Sequence, residues 1–295
     1  MPHLNHGLMG SWSPVLFTLA IAFTAFVYLR GWLRLRSIFL NVIPVWRAAS
    51  FLLGLFLIWV AVASPLAALD REMLTLHMVQ HLLLMTLAPP LIWLGAPVIP
   101  MLQGLPRRLV LISSRFRWRS AQLLKRALSN LTFCWLAATA ALVLWHIPAA
   151  FTLGMQSGAW HMVEHASFLV TGLLFWWPVV RPWPSASRLD FSIVLYLFFA
   201  TLPCDILSGF LVFCDRVVYS VYFSSSRPFG LSALEDQQCA GALMWTCVTV
   251  LYLVVGGILT TRLLSPQHSR QNELWRPEFS ASAVPQRVPQ SVEAH

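Results

Sequence analysis

Residues 70–94 read DREMLTLHMVQHLLLMTLAPPLIWL. A bilayer-spanning helix needs roughly 20 mostly apolar residues, because a hydrocarbon core about 30 Å thick is crossed at about 1.5 Å per residue. This stretch is long and apolar enough, and it runs continuously rather than alternating as a barrel strand would. Pro89 and Pro90 remove two backbone donors near its far end, so the helix is expected to kink or stop there. Working outward, six further runs qualify as spans: about 12–29, 48–66, 131–148, 160–180, 190–212 and 238–260. The reading is an all-α polytopic membrane protein, a seven-transmembrane-helix bundle forming one domain over 1–264. A proline-containing tail, 265–295, is expected to be disordered.

Composition agrees. The 295 residues are 58% hydrophobic and 11% charged, against roughly 45–50% and about a quarter in soluble domains. That excludes a soluble enzyme, a disordered chain and a nucleic-acid-binding module. Five cysteines without a CxxC pair exclude a disulfide framework or zinc ribbon.

The net charge of +9 is explained by where the basic residues sit. All but Arg71, Arg216 and Arg227 of the 20 Lys and Arg fall in the loops after spans one, three and five or in the tail. Such asymmetry marks the cytoplasmic side, so the N-terminus is expected outside and the C-terminus in the cytoplasm. No nucleic-acid partner is expected. The start of the chain lacks the features of a cleavable secretory signal. Segment 105–130, mixing arginines with Leu, Val and Trp118, is expected to lie along the inner face against anionic lipid. The sequon at Asn130 falls on the cytoplasmic edge, so glycosylation is not implied.

With this topology, seven of the nine histidines lie outside or in the outer half of a span: His3, His6, His77, His81, His146, His161 and His165. Ionisable side chains inside a bilayer are costly and usually face the bundle interior at functional positions. Met73, His77, His81 and Met85 recur every four residues and share one helix face. His161-Met162-Val163-Glu164-His165 again puts two imidazoles on one face, and His146 ends the fourth span before Pro148. Three helices thus present imidazoles to one layer. Imidazole binds Zn, Cu and Fe, and thioethers favour Cu(I), so the layer suits copper, or haem iron held between two histidines. Met73 and Met85 read as core or lipid-facing side chains before they read as ligands. Asp205 needs a partner, either a polar network or the histidines with a bound cation. Cys214 and Cys239 flank one outer loop and either pair or remain free thiols; Cys134, Cys204 and Cys247 read as small apolar fillers.

The strings His77-Met78-Val79-Gln80-His81, Ala88-Pro89-Pro90 and Leu94-Gly95-Ala96-Pro97 resemble the multi-span CtaG family of bacterial cytochrome c oxidase assembly factors. Leu144-Trp145-His146-Ile147-Pro148, Phe175-Trp176-Trp177-Pro178 and Glu235-Asp236-Gln237-Gln238 extend the resemblance over about 65–260. It implies a seven-helix protein of the bacterial plasma membrane that helps mature a haem–copper oxidase of the respiratory chain, without catalysis of its own. The implied metal-site positions are His77, His81, His146, His161, His165 and Asp236, and copper is the expected metal. Oxidase subunits, a periplasmic copper donor and membrane lipid are the expected partners. Three alternatives remain at this point: a membrane zinc hydrolase using the HxxEH spacing of His161, Glu164 and His165, a bis-histidine haem-binding electron carrier, and a transporter or structural scaffold in which the histidines bind nothing.

Overall fold

The computed structural model describes residues 6–38, 44–106, 127–180, 191–223 and 230–265. Most of segment 105–130 and the expected disordered tail therefore lie outside the described residues, as does His3. Among the described residues every regular element is helical. In chain order these are α1 (His6–Ile38), α2 (Val45–Ala63), α3 (Leu74–His81), a π-helical segment (Leu82–Leu87), α4 (Ala88–Leu94), α5 (Val98–Gly104) and α6 (Leu131–His146). There follow α7 (Pro148–Gln156), α8 (Gly158–Val180), α9 (Phe191–Phe213) and α10 (Ala233–Leu264). Short 3-10 turns occupy Pro65–Leu69 and Ser220–Tyr222.

Six stretches are long and apolar enough to cross a membrane, with α3, the π segment and α4 acting together as Leu74–Leu94. A seventh is completed only if α6 and α7, bent by 76°, are taken as one span. The bend has a local cause. Pro148 starts α7 and Ile147 before it is extended (φ −66°, ψ 127°), the conformation that a following proline enforces. Apolar side chains such as Phe23, Leu136, Phe198, Phe210 and Leu253 face outward, as lipid contact requires.

The two prolines do not end the third span. The π segment absorbs them, and the helix resumes as α4 with the prolines in its first turn. Pro89 has no N–H to give the Met85 carbonyl four residues back. That carbonyl instead accepts the Trp176 indole N–H from α8 at 3.2 Å. α8 reaches this close because Gly172 faces the same spot: a Cβ there would lie 2.7 Å from the Met85 oxygen. A buried carbonyl without a partner would cost about 1–3 kcal/mol, so the indole contact stabilises the irregular turn. Trp93 Nε1 ties α4 to the Leu173 carbonyl of α8 at 2.9 Å.

One core cluster joins α3 and α6–α10, with Leu74, Phe151, Trp176, Tyr196, Leu211 and Met244 among its members. A smaller one stacks Tyr28 on Phe51 between α1 and α2, ring centroids 4.0 Å apart. Asn130 is the N-cap of α6, its side chain accepting from Phe133 N at 3.1 Å. Ser232 and Glu235 form a reciprocal capping box at the start of α10.

All five cysteines are free, so Cys214 and Cys239 are not paired. Cys134 and Cys204 are buried as small fillers would be, whereas Cys247 is exposed. Asp205 finds its partner in a polar network, accepting from Thr249 Oγ1 at 3.2 Å, and takes no part in the histidine layer described next.

Candidate metal centre

α3 and α8 start at the same end of the bundle and α6 finishes there, so their histidines meet in one layer. His77 and His81 are one turn apart on α3, with ring centroids 4.3 Å apart. His161 and His165 on α8 are 4.2 Å apart, and His77 stacks on His161 at 5.6 Å. His81 faces His146 at 6.0 Å and His165 at 6.1 Å. Five of the six residues expected at a metal site are therefore brought together.

Two carboxylates complete the group. Glu164 is fully buried at its centre: Oε1 lies 3.4 Å from His77 Nε2 and 3.3 Å from His81 Nε2, and Oε2 lies 4.0 Å from His161 Nε2. Asp70, in the turn before α3, places Oδ2 at 3.3 Å from His161 Nε2. Two ligand sets result, Asp70–His77–His161 and His77–His81–Glu164, and His77 belongs to both.

The spacing is informative because these contacts are not hydrogen bonds. Both Glu164 oxygens, both ring nitrogens of His77 and His81, and Nε2 of His146, His161 and His165 are buried without a hydrogen-bond partner. Buried polar groups are nearly always paired, and leaving one unpaired costs about 1–3 kcal/mol. Nitrogen and oxygen ligands bound to a tetrahedral metal at about 2.0–2.1 Å lie about 3.3–3.4 Å apart along each edge. The separations around Glu164 Oε1 and between Asp70 and His161 match that edge. A cation would also offset the buried Glu164 charge, whose ion-pair contacts among the described residues are to histidines.

The surroundings fix the ligands. The His146 Nδ1–H donates to the Leu142 carbonyl at 2.7 Å, leaving Nε2 as the atom available to a metal. Tyr219 and Tyr222 approach from the loop between α9 and α10. Their hydroxyls donate to the carbonyls of His146 (3.0 Å) and Asp70 (2.7 Å). Burial pushes both phenols up, so they stay protonated donors. Phe151 packs against His77 at 5.0 Å and Phe168 against His81 at 4.2 Å. Gly154 on α7 leaves room for Glu164, since a Cβ there would sit 2.9 Å from Oε2.

Asp236 has another task than the metal ligation expected from sequence. Its carboxylate accepts from Leu74 N (2.7 Å), Thr75 N (3.1 Å) and Thr75 Oγ1 (2.6 Å). The N-terminus of α3 has unpaired N–H donors and a positive dipole end. Asp236 caps it from 161 residues beyond Thr75 in sequence, and is in neither ligand set. Gln237 beside it accepts from Val218 N and donates to the Leu211 and Arg216 carbonyls, closing the same loop. Met73 is buried as the residue before α3. Asp70 is the residue that sequence reasoning missed; its position just ahead of an imidazole-bearing span was the available signal.

The sequence pattern of the family described as cytochrome c oxidase caa3 assembly factor matches residues 26–265. An uncharacterized protein of Mycobacterium bovis is 25% identical over 225 residues, 74% of this chain and 34% of its own length. Another from Mycobacterium tuberculosis matches to the same extent, and one from Mycobacterium leprae is 25% identical over 241 residues, 77% and 35% of the two chains. The chain thus spans about a third of the length of these curated relatives. No solved structure gives a significant match.

Proposed function

The chain belongs to the cytochrome c oxidase caa3 assembly factor family, and on that footing we propose that it serves oxidase maturation as a copper carrier. Copper, as cargo, rests on His77, His81 and Glu164 after entry past Asp70 and His161. His165 and His146 stand beside the cluster as exchange ligands through which the ion passes on toward an oxidase subunit. The setting is the bacterial plasma membrane with the histidine end facing the periplasm, a placement supported by the crowding of basic residues at the opposite ends of the spans.

The observation that carries this reading is the set of buried nitrogens and carboxylate oxygens that lack hydrogen bonds yet stand at metal-edge spacing. The geometry supports a metal; copper in particular rests on the family, since a haem–copper oxidase must receive it. A cluster with more imidazoles than one ion needs suits release as well as capture, because a spare ligand can enter as another leaves. The hydrolase alternative has less support. Glu164 sits between two histidines of another helix rather than opposite a zinc held by His161 and His165, and its side chain is wholly buried. The haem alternative needs a flat slot between two rings, and the space beside them is filled by Glu164, Phe151 and Phe168.

The test is a His77→Ala/His81→Ala variant studied in cells and after purification. Copper bound to the purified chain should fall to background, and oxidase activity in membranes should fall while the level of this protein is unchanged. Full oxidase activity at normal protein level would refute the proposal.

A further inference from the structure

A cavity of about 40 Å³, enough for an ion but not for a large ligand, begins at His81 and His146 and runs toward the middle of the bundle. Its wall continues one turn past His81 to Met85 and Thr86, back along α6 from His146 to Ala138, and along α10 from Met244 to Tyr252. Eight residues of α6 correspond to about 12 Å of depth. The cavity therefore leads away from the carboxylates into the apolar interior.

Its lining is rich in sulfur. Met78, Met85 and Met244, three of the nine methionines, border it together with Cys204. Methionine is a common filler of irregular cores, but a filler would close the gap that it borders. Here three methionines from two spans line the same small cavity. Met78 and Met244 are buried, and Cys204 Sγ lies 3.8 Å from Ser208 Oγ. Two ring atoms add to the sulfurs. His146 is 5% exposed, its Nδ1 is engaged by Leu142, and its Nε2 has no partner. His81 lines the cavity while also standing in the ligand set with Glu164.

Thioethers and imidazole without a carboxylate form a soft, uncharged donor set, which favours Cu(I) over zinc or hard divalent ions. We propose that this cavity is a second metal site, taking Cu(I) on the thioethers of Met78, Met85 and Met244 with His146 Nε2. This rests on the reading of the histidine–carboxylate cluster as a copper carrier and extends it inward. The groups then stand in series: Asp70, His77 and His161; next His77, His81 and Glu164; then, across the cavity that His81 also lines, His146 and the thioethers. His77 is shared by the first two groups and His81 borders the third, so an ion changes ligands one at a time without leaving protein. The ion enters as Cu(I) and leaves as Cu(I), and no electron is transferred.

The experiment loads the purified full chain with Cu(I) under anaerobic conditions and measures copper content and X-ray absorption at the copper edge. The wild type is compared with Met78→Leu/Met85→Leu/Met244→Leu, a near volume-conserving change, and with the three single variants, which remove the same sulfurs in steps should the triple variant aggregate. The wild type should show sulfur scattering alongside nitrogen and oxygen, with about two coppers per chain, one for each donor class. The triple variant should lose the sulfur contribution and about half the copper while keeping the nitrogen-bound ion. Nitrogen-bound copper without sulfur in the wild type would overturn the inner site and leave the outer cluster standing. Sulfur scattering that survives in the triple variant would overturn it too. No copper in any sample would overturn both readings together.

Discussion

Glu164→Gln separates a metal-binding carboxylate from a structural one by the sign of its effects. The substitution keeps the shape of a side chain that is wholly buried and removes its charge. Without metal, that charge faces three imidazoles and accepts no hydrogen bond from them. Burying an ionised carboxylate without hydrogen bonds costs more than burying a neutral amide, so the metal-free variant should unfold at a higher temperature than wild type. Copper binding should move the other way. Losing a group that only orients a ligand costs about 10–100-fold in metal affinity, so losing a ligand atom should cost at least about 100-fold. At a free copper concentration about 1,000 times the wild-type dissociation constant, bound copper stabilises wild type by about 4.1 kcal/mol; a variant about 100-fold weaker gains about 1.4 kcal/mol. The assay is thermal unfolding in detergent with and without copper. A metal-free variant less stable than wild type, with an undiminished copper response, would refute this account of Glu164.

Two further substitutions test the supports of the cluster. Gly154→Ala adds a Cβ 2.9 Å from Glu164 Oε2, so the carboxylate must move. Alanine is favoured over glycine in a helix by about 1 kcal/mol, so copper affinity should fall about tenfold while the unfolding temperature holds or rises; titration with a competing chelator reads the first, and unchanged affinity would show that the contact is slack. Asp236→Ala frees two buried N–H groups at the start of α3 and should cost about 2–4 kcal/mol, whereas Asp236→Asn keeps one acceptor and should retain full copper content. A well-folded Asn variant devoid of copper would return Asp236 to the ligands.

Six spans were legible because each is a long apolar run, and the histidine layer because four of its imidazoles repeat at helical spacing. The exceptions follow from tertiary contacts that no local pattern records. Of the two outcomes read for Pro89 and Pro90, a kink or a stop, the stop does not occur: Trp176, 87 residues after Pro89, supplies a donor to the carbonyl that Pro89 leaves free. Asp236 was grouped with the histidines by resemblance, but an acid near a cluster and an acid capping the helix that carries it look alike in sequence. Asp70 opened the apolar run and drew no reading of its own, because nothing local ties it to His161 on another helix. Glu164 was visible only as part of a five-residue hydrolase spacing; its true neighbours, His77 and His81, come from a different helix. The fourth span was read as one run over 131–148, but its helix ends at His146 and reaches spanning length only together with α7, whose 76° bend composition does not encode.

The π segment at Leu82–Leu87 has a consequence for how this span can change over time. A wide turn holds one residue more than a regular helix spanning the same length, and one residue is worth about 100° of rotation in an α-helix. Deleting a single residue there would rewind the segment and turn the proline half relative to the histidine half, swinging Pro89 away from Gly172 and Trp176. The histidine half would keep its orientation, held by Asp236 at the other end. The segment thus acts as a phase joint: the two halves of one span can drift in register independently. Relatives compared across it without allowing a one-residue gap would have one half aligned to the wrong face.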